Sequence, residues 1–339
     1  MTNAEGKTPL ASRPVFVHGM WRTGSTYIWK KFRDLPGYRA YYEPLNETLW
    51  VVRPVETEIA PEYTTKMRHP EMKEPFWKDF PLRANGGVEH FLKVFSYEQY
   101  CLDPEAQSPS LFRYIENLIS FAELNGQVPV LQFNRALLRS GWLCKNFKPR
   151  TILLLRNPLD IWQSFLSVND YFVSGICLII GQNRRHKVLG KIAERYDVPF
   201  FRGVSFVEEG EFYSLFALSK LDELYPMFYE LYMLTCLYNV AFADCVIDMN
   251  AVSTDSGKRS LVTDSLESLG IQISLDDCAI PSYPIQDRER KWQSCEPEAR
   301  ARLQDIVPPE WRVPADALKA LSPMLTEYFQ ENLSIFKSK

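Results

Sequence analysis

The stretch P-V-F-V-H-G-M-W-R-T-G-S-T, residues 14–26, decides the fold. Residues 14–18 form a short apolar run that reads as a buried strand, and residues 25–32 read as a helix, with glycines at the junction. Against the nucleotide-binding pattern G-x-x-x-x-G-K-[ST], Gly19, Gly24 and Thr26 match, while Ser25 stands in place of the lysine. Glycines let backbone N–H groups turn toward an anion at a helix N-terminus, where the dipole favours negative charge. Ser25 and Thr26 add hydroxyls there, and Arg22 adds a permanent planar cation. Anion binding is the preferred reading over a plain strand-to-helix turn with a surface arginine. The missing lysine speaks against ordinary nucleoside triphosphate hydrolysis.

Working outward, the same alternation repeats. Strands are expected at 38–42, where Glu43-Pro44 stops the run, and at 128–133, 151–155 and 245–249. Helices are expected at 110–124, 137–146 and 159–168, with one long helix or a helix pair over 211–241. Strands alternating with helices predict an α/β fold, a central parallel sheet flanked by helices. The stretch 50–109 is rich in proline, tryptophan and charge without a period, and reads as an irregular excursion or lid on the substrate side. The 339 residues give about two domains as a prior, but the pattern favours one elaborated domain, 14–339, behind a flexible N-terminus, 1–13.

Lysine and arginine total 39 against 42 acidic residues, a net charge of −3, so a broad electrostatic footprint for nucleic acid or an anionic membrane is not expected. The seven cysteines are scattered without a C-x-x-C pair, which suits reduced thiols. His69, His90 and His186 show no ligand spacing, and no metal site is assigned. The N-terminus lacks the pattern of a signal peptide. The apolar stretch 171–181 is too short to span a bilayer, and 231–247, which carries Asn239 and Asp244, reads as a buried helix followed by a strand. A soluble, cytoplasmic chain is expected.

A second motif lies in L-R-N-P-L-D-I-W-Q-S, residues 155–164. Arg156 ends a strand and Ser164 lies two turns into the next helix. Ends of parallel strands are where such sheets hold ligands, and an arginine with a hydroxyl can grip one phosphate. Taken alone, an Arg156–Asp160 pair with Ser164 as a neutral helix residue is the better account.

Together, W-R-T-G-S-T (21–26) and the Arg156-to-Ser164 spacing resemble the sulfotransferase family, as does F-N-R-A-L-L-R-S-G-W-L-C-K-N-F (133–147), which is similar to its bacterial and carbohydrate-type members. The resemblance implies a three-layer P-loop-NTPase-like fold. It implies that 3′-phosphoadenosine 5′-phosphosulfate (PAPS) donates a sulfuryl group, by in-line displacement and without metal, to a hydroxyl or amine of a small molecule or saccharide. It places Arg22, Thr23, Gly24, Ser25 and Thr26 at the 5′ end of the cofactor, and Arg156 with Ser164 at its 3′-phosphate. Tyr27 falls where some members have an adenine-contacting aromatic, though a core tyrosine fits equally. Arg288, Arg290 and Lys291 are read as a solvated charge run, with a loop over the nucleotide as the alternative.

Sulfuryl transfer needs a base for the acceptor proton and positive charge where the leaving group becomes anionic. Arg22 suits the second role. The cytosolic branch of the family uses a histidine where Asn134 stands, and a neutral amide cannot replace it. Glu43, in Y-Y-E-P (41–44), is the preferred base, since burial among Tyr41, Tyr42 and Pro44 would raise its pKa. The competing reading pairs Glu43 structurally with Arg22, Arg39 or Arg135. His18 is the second candidate base, although a histidine ending a buried strand is more often a core residue. Arg135 and Arg139 suit either an anionic acceptor or exposed positions around Leu137, Leu138 and Trp142. Two further readings remain open: a kinase-like phosphotransferase needing Mg²⁺ and ATP, and a catalytically silent nucleotide-binding protein. The sequence does not give the oligomeric state.

Overall fold

The computed structural model describes residues 13–54, 75–168, 170–281 and 283–338. Five strands, β1 (Val15–His18), β2 (Tyr38–Tyr42), β3 (Val128–Phe133), β4 (Arg150–Leu155) and β5 (Cys245–Asp248), form one sheet in the order β2-β3-β1-β4-β5. Every pairing is parallel. Parallel strands need crossovers, and most of these are helical. They put Ser25–Arg33 after β1, Pro109–Leu124 before β3, Ser140–Phe147 after β3 and Pro158–Leu166 after β4. Residues of β4 alternate between two apolar layers. Leu153 and Leu155 face the layer holding Trp162 and Phe228, and Ile152 and Leu154 face that of Ile28, Trp29 and Phe32. Both faces of the sheet are thus covered, which is why its strands read as nearly continuous apolar runs.

One expectation shifts, and one is decided between its two alternatives. The helix expected at 137–146 begins only at Ser140, because residues 134–139 form turns that bury the side chains of Arg135 and Arg139. The region 211–241 is a helix pair, Phe206–Ser219 and Tyr225–Val240. A 3-10 turn separates the two, and a proline sits in the first turn of the second, where its missing N–H costs nothing. Among the described residues no single helix is long and apolar enough to cross a membrane. All seven cysteines are free thiols.

Of the expected flexible N-terminus, residues 1–12 lie outside the described residues, and Arg13 is anchored through Nη2 to the Pro149 carbonyl at 2.7 Å. Within the excursion 50–109, residues 55–74 also lie outside them. Its described remainder is irregular but packed: Phe76, Phe80, Phe91, Phe95 and Tyr100 are buried, and Phe76 stacks on Tyr42 at 4.4 Å. That remainder is a wall of the core.

From β1 the chain crosses to one side of the sheet, to β2 and then β3; from β3 it crosses to the other side, to β4 and β5. Loops leaving the carboxyl ends of neighbouring β1 and β4 therefore diverge. The crevice between them is where open parallel sheets hold ligands.

Candidate functional site

The loop leaving β1 is tightly determined. Gly19 N–H donates to the Phe133 carbonyl at 3.1 Å, and both the N–H and the hydroxyl of Thr23 reach the Met20 carbonyl, at 3.2 and 2.7 Å. Gly24, the N-cap of helix Ser25–Arg33, has φ 88°, and a Cβ there would lie 2.7 Å from Met249 Cε. Arg22 holds φ 66° without being glycine, a conformation that surrounding structure must enforce and that collects at ligand sites.

This loop opens on a cavity of about 630 Å³. Of the anticipated site residues, Arg22, Gly24, Ser25, Thr26, Tyr27, Glu43, Arg156 and Ser164 line it. Thr23 and His18 do not. The Thr23 hydroxyl is spent on shaping the turn. His18 is fully buried, with its ring stacked on Phe133 at 5.3 Å. Neither ring nitrogen has a partner among the described residues, and burial pulls its pKa to about 3, so it is neutral.

The two motifs meet on one side of the cavity. Arg22 Nε donates to Ser164 Oγ at 2.8 Å, and Arg156 Nη1 donates to the Arg22 carbonyl at 2.8 Å. Arg156 Nη2 reaches the Pro281 carbonyl at 2.6 Å, and its Nε is buried without a partner among the described residues. Burial pulls this guanidinium below its ordinary pKa. The alternative Arg156–Asp160 pair is not formed: Asp160 acts on Arg156 only at a distance, while its carboxylate accepts from Asn250 Nδ2 at 2.8 Å. Asn157 caps the following helix through the Leu159 N–H at 2.9 Å, which fixes where Ser164 projects.

The other side carries Glu43, whose φ is 41°. Its carboxylate is bonded to Arg135 Nη1 and accepts from Trp21 Nε1 at 3.4 Å. Among the three arginines considered as its partner, Arg135 is the one the fold supplies. Arg39 instead reaches Gln127 and the Asp79 carbonyl. Arg135 also pairs with Glu47 at 2.8 Å and donates to the hydroxyls of Tyr97 and Tyr171 at 3.2 and 3.3 Å. Burial raises the Glu47 pKa and lowers that of Arg135. Arg135 and Arg139 are both buried, so the reading of them as exposed positions is corrected. They lie under the aromatic wall made by the segment 91–100.

Ser25 Oγ accepts from Asn134 Nδ2 at 3.3 Å, and Thr26 shares a hydrogen bond with the Tyr42 hydroxyl at 3.0 Å. Tyr27 stands at the rim, donating to Asp277 at 2.7 Å beside Lys31. Arg288, Arg290 and Lys291 lie on helix Asp287–Ser294 and do not line the cavity. Arg288 pairs with Asp222 at 2.6 Å. Residues that sequence reasoning missed complete the walls: Trp21, Tyr42, Phe76, Trp77, Tyr171 and Phe172, with Ala279, Ile280 and Pro281 as a strap. Their only sequence signal is aromatic abundance, which core packing produces as well.

A wider groove of about 820 Å³ lies at the opposite end of the sheet, where Pro14, Pro149 and Asp244 precede β1, β4 and β5. Arg13 and Lys148 line it, but so do Glu116, Glu123 and Asp244, whereas Glu43 is the one acidic residue lining the carboxyl-end cavity among the described residues. No family model, curated protein or solved structure matches the chain.

Proposed function

We propose that this chain is a sulfotransferase of P-loop-like architecture that transfers the sulfuryl group of PAPS to a hydroxyl or amine of a small molecule or saccharide. One observation carries the reading. Arg22 and Ser164, 142 residues apart in sequence and drawn from separate motifs, are hydrogen-bonded in one cavity with Arg156 beside them. The residues fit an anionic nucleotide, since helix-start N–H groups, two hydroxyls and two guanidiniums converge and a buried Arg156 Nε has no acceptor among the described residues.

When bound, the nucleotide supplies an activated sulfuryl group on a phosphate leaving group. Arg22 and the backbone N–H groups at the helix start neutralise charge on the leaving side. Arg156 and Ser164 hold the second phosphate with charge-assisted bonds. Glu43 takes the acceptor proton, its carboxylate held in place by Arg135 and Trp21. Trp21, Phe172, Tyr42 and Phe76 shield the reacting atoms from water.

Calorimetric titration with 3′,5′-adenosine bisphosphate, and separately with ATP plus Mg²⁺, tests the reading. Binding of the bisphosphate without Mg²⁺ is expected, and preference for Mg-ATP would return the loop to the phosphotransferases. Glu43→Gln is expected to leave bisphosphate binding within about twofold and to abolish turnover. Retained turnover would move the base to solvent, and a wild type that binds the bisphosphate but turns over no acceptor would favour the silent protein.

A further inference from the structure

β3 is apolar except at Gln132, which is fully buried and pairs with Val17 of β1 on one side and Tyr42 of β2 on the other. A core amide is costly unless it is hydrogen-bonded. Gln132 Nε2 donates to Asn134 Oδ1, and Asn134 Nδ2 donates to Ser25 Oγ at 3.3 Å. Asn134 and Ser25 line the nucleotide cavity, and Gln132 does not. The three side chains therefore form one hydrogen-bonded chain from the core to the start of helix Ser25–Arg33.

The sense of that chain decides what Ser25 offers to a ligand. A serine hydroxyl has one hydrogen and two lone pairs. Here one lone pair takes the Asn134 N–H, which leaves the hydrogen to point into the cavity. With both amides turned round, that hydrogen would go to Asn134 Oδ1, and Ser25 would present only lone pairs to an anion. Gln132 opposes the turn. In the present sense its Oε1 is the atom without a partner among the described residues. Turned round, its Nε2 would face that place with both N–H groups unpaired, and an orphaned N–H is rarer in protein interiors than an under-satisfied carbonyl oxygen.

We propose that Gln132 and Asn134 are positioning residues that hold the Ser25 O–H as a donor to the anionic oxygen bound at the loop. The inference rests on the proposed nucleotide reading and adds to it the origin of the hydroxyl's direction. It gives Asn134 a role that requires no proton transfer.

The test is calorimetry with 3′,5′-adenosine bisphosphate on Asn134→Leu and Asn134→Asp, each with and without Ser25→Ala. Asn134→Leu removes the bond but lets the Ser25 hydrogen still reach the cavity, and is expected to weaken binding about two- to threefold. Asn134→Asp keeps a bond but draws the Ser25 hydrogen away from the ligand, and is expected to weaken binding about tenfold or more. In the Ser25→Ala background only the added charge distinguishes the two variants, so the ratio of their affinities is expected to shrink about threefold or more. A residue that merely held the loop in place would give the opposite order, because aspartate keeps a bond to Ser25 and leucine does not. Should Asn134→Asp not fold, Gln132→Met frees the Asn134 amide to turn. It is expected to weaken binding about two- to fivefold with Ser25 present and not in the Ser25→Ala background. An equal or greater loss from Asn134→Leu, a ratio unchanged by Ser25→Ala, or the same Gln132→Met loss in both backgrounds would overturn the inference alone. A wild type that does not bind the bisphosphate would remove the proposed function and this inference with it.

Discussion

Arg156 and Arg135 follow the carboxyl ends of the two strands that flank β1, one just past β4 and the other just past β3, and both are buried. Their surroundings differ in charge. Arg156 gives its hydrogen bonds to the neutral carbonyls of Arg22 and Pro281, so its positive charge remains to act on whatever enters the cavity. Arg135 lies between Glu43 and Glu47 and also donates to the hydroxyls of Tyr97 and Tyr171, with only its Nε left without a partner among the described residues. Its charge is consumed within the protein. The same side chain therefore lines a cavity without a bonded carboxylate on one wall and is a structural counter-ion on the other, and an anionic group is expected to be drawn to the first wall only.

The largest expected effect breaks the Arg135 side. Arg135→Met leaves the buried Glu43 carboxylate and the half-buried Glu47 carboxylate without their partner and should cost about 3–5 kcal/mol of stability in a urea titration. A variant as stable as wild type would show that Arg135 is not the structural member of the pair. On the other wall, Arg156→Ala should weaken 3′,5′-adenosine bisphosphate binding by about 1.5–3 kcal/mol, roughly 10- to 150-fold, through lost charge-assisted bonds. Calorimetry that returned an unchanged affinity would remove the second phosphate from this wall.

His18 sharpens the comparison, because it sits at the end of β1 between the two walls and is neutral. Its folded pKa of about 3 lies below the unfolded value of 6.5. The unfolded chain therefore takes the proton first, and stability present above 6.5 is lost as pH falls toward 3. Between neutrality and about pH 5 this amounts to about 2 kcal/mol. His18→Phe should lose correspondingly less over that interval, and identical pH slopes for the two proteins would exclude His18 as the origin. The smallest effect concerns Ser164→Ala, which removes the acceptor of Arg22 Nε. It should reduce bisphosphate affinity roughly two- to tenfold, and a loss as large as that of Arg156→Ala would make the hydroxyl, not the guanidinium, the principal anchor.

The sheet was legible in the sequence to within a residue or so at each strand, because each strand is an apolar run bounded by proline, glycine or charge. Residues 38–42 and 128–133 coincide with β2 and β3. The cation-bearing wall was legible too, since Arg22, Arg156 and Ser164 stand in short local patterns. Glu43 stood among the candidates, but its binding to Arg135 depends on a chain reversal that brings residue 43 to residue 135. No local pattern distinguishes Arg135 from Arg22 or Arg39 as the partner. Arg135 and Arg139 flank apolar Leu137 and Leu138, which suggested an exposed face. The aromatic segment containing Phe95, Tyr97 and Tyr100 covers them instead, and nothing within 133–147 announces that cover. The aromatic walls and the 279–281 strap are likewise products of tertiary packing.

The strand order carries a consequence for how the chain is assembled during synthesis. β1 and β2 are made first but do not touch; β3 lies between them, with Val15 opposite Val130 and Ala40 opposite Val130 from the other side. Such a sheet cannot grow by adding strands at its edge, and a contact between residues this distant in sequence makes folding slow. A nascent chain that ends before residue 128 carries two apolar strands whose common neighbour does not yet exist, and in that interval both are open to association with other chains.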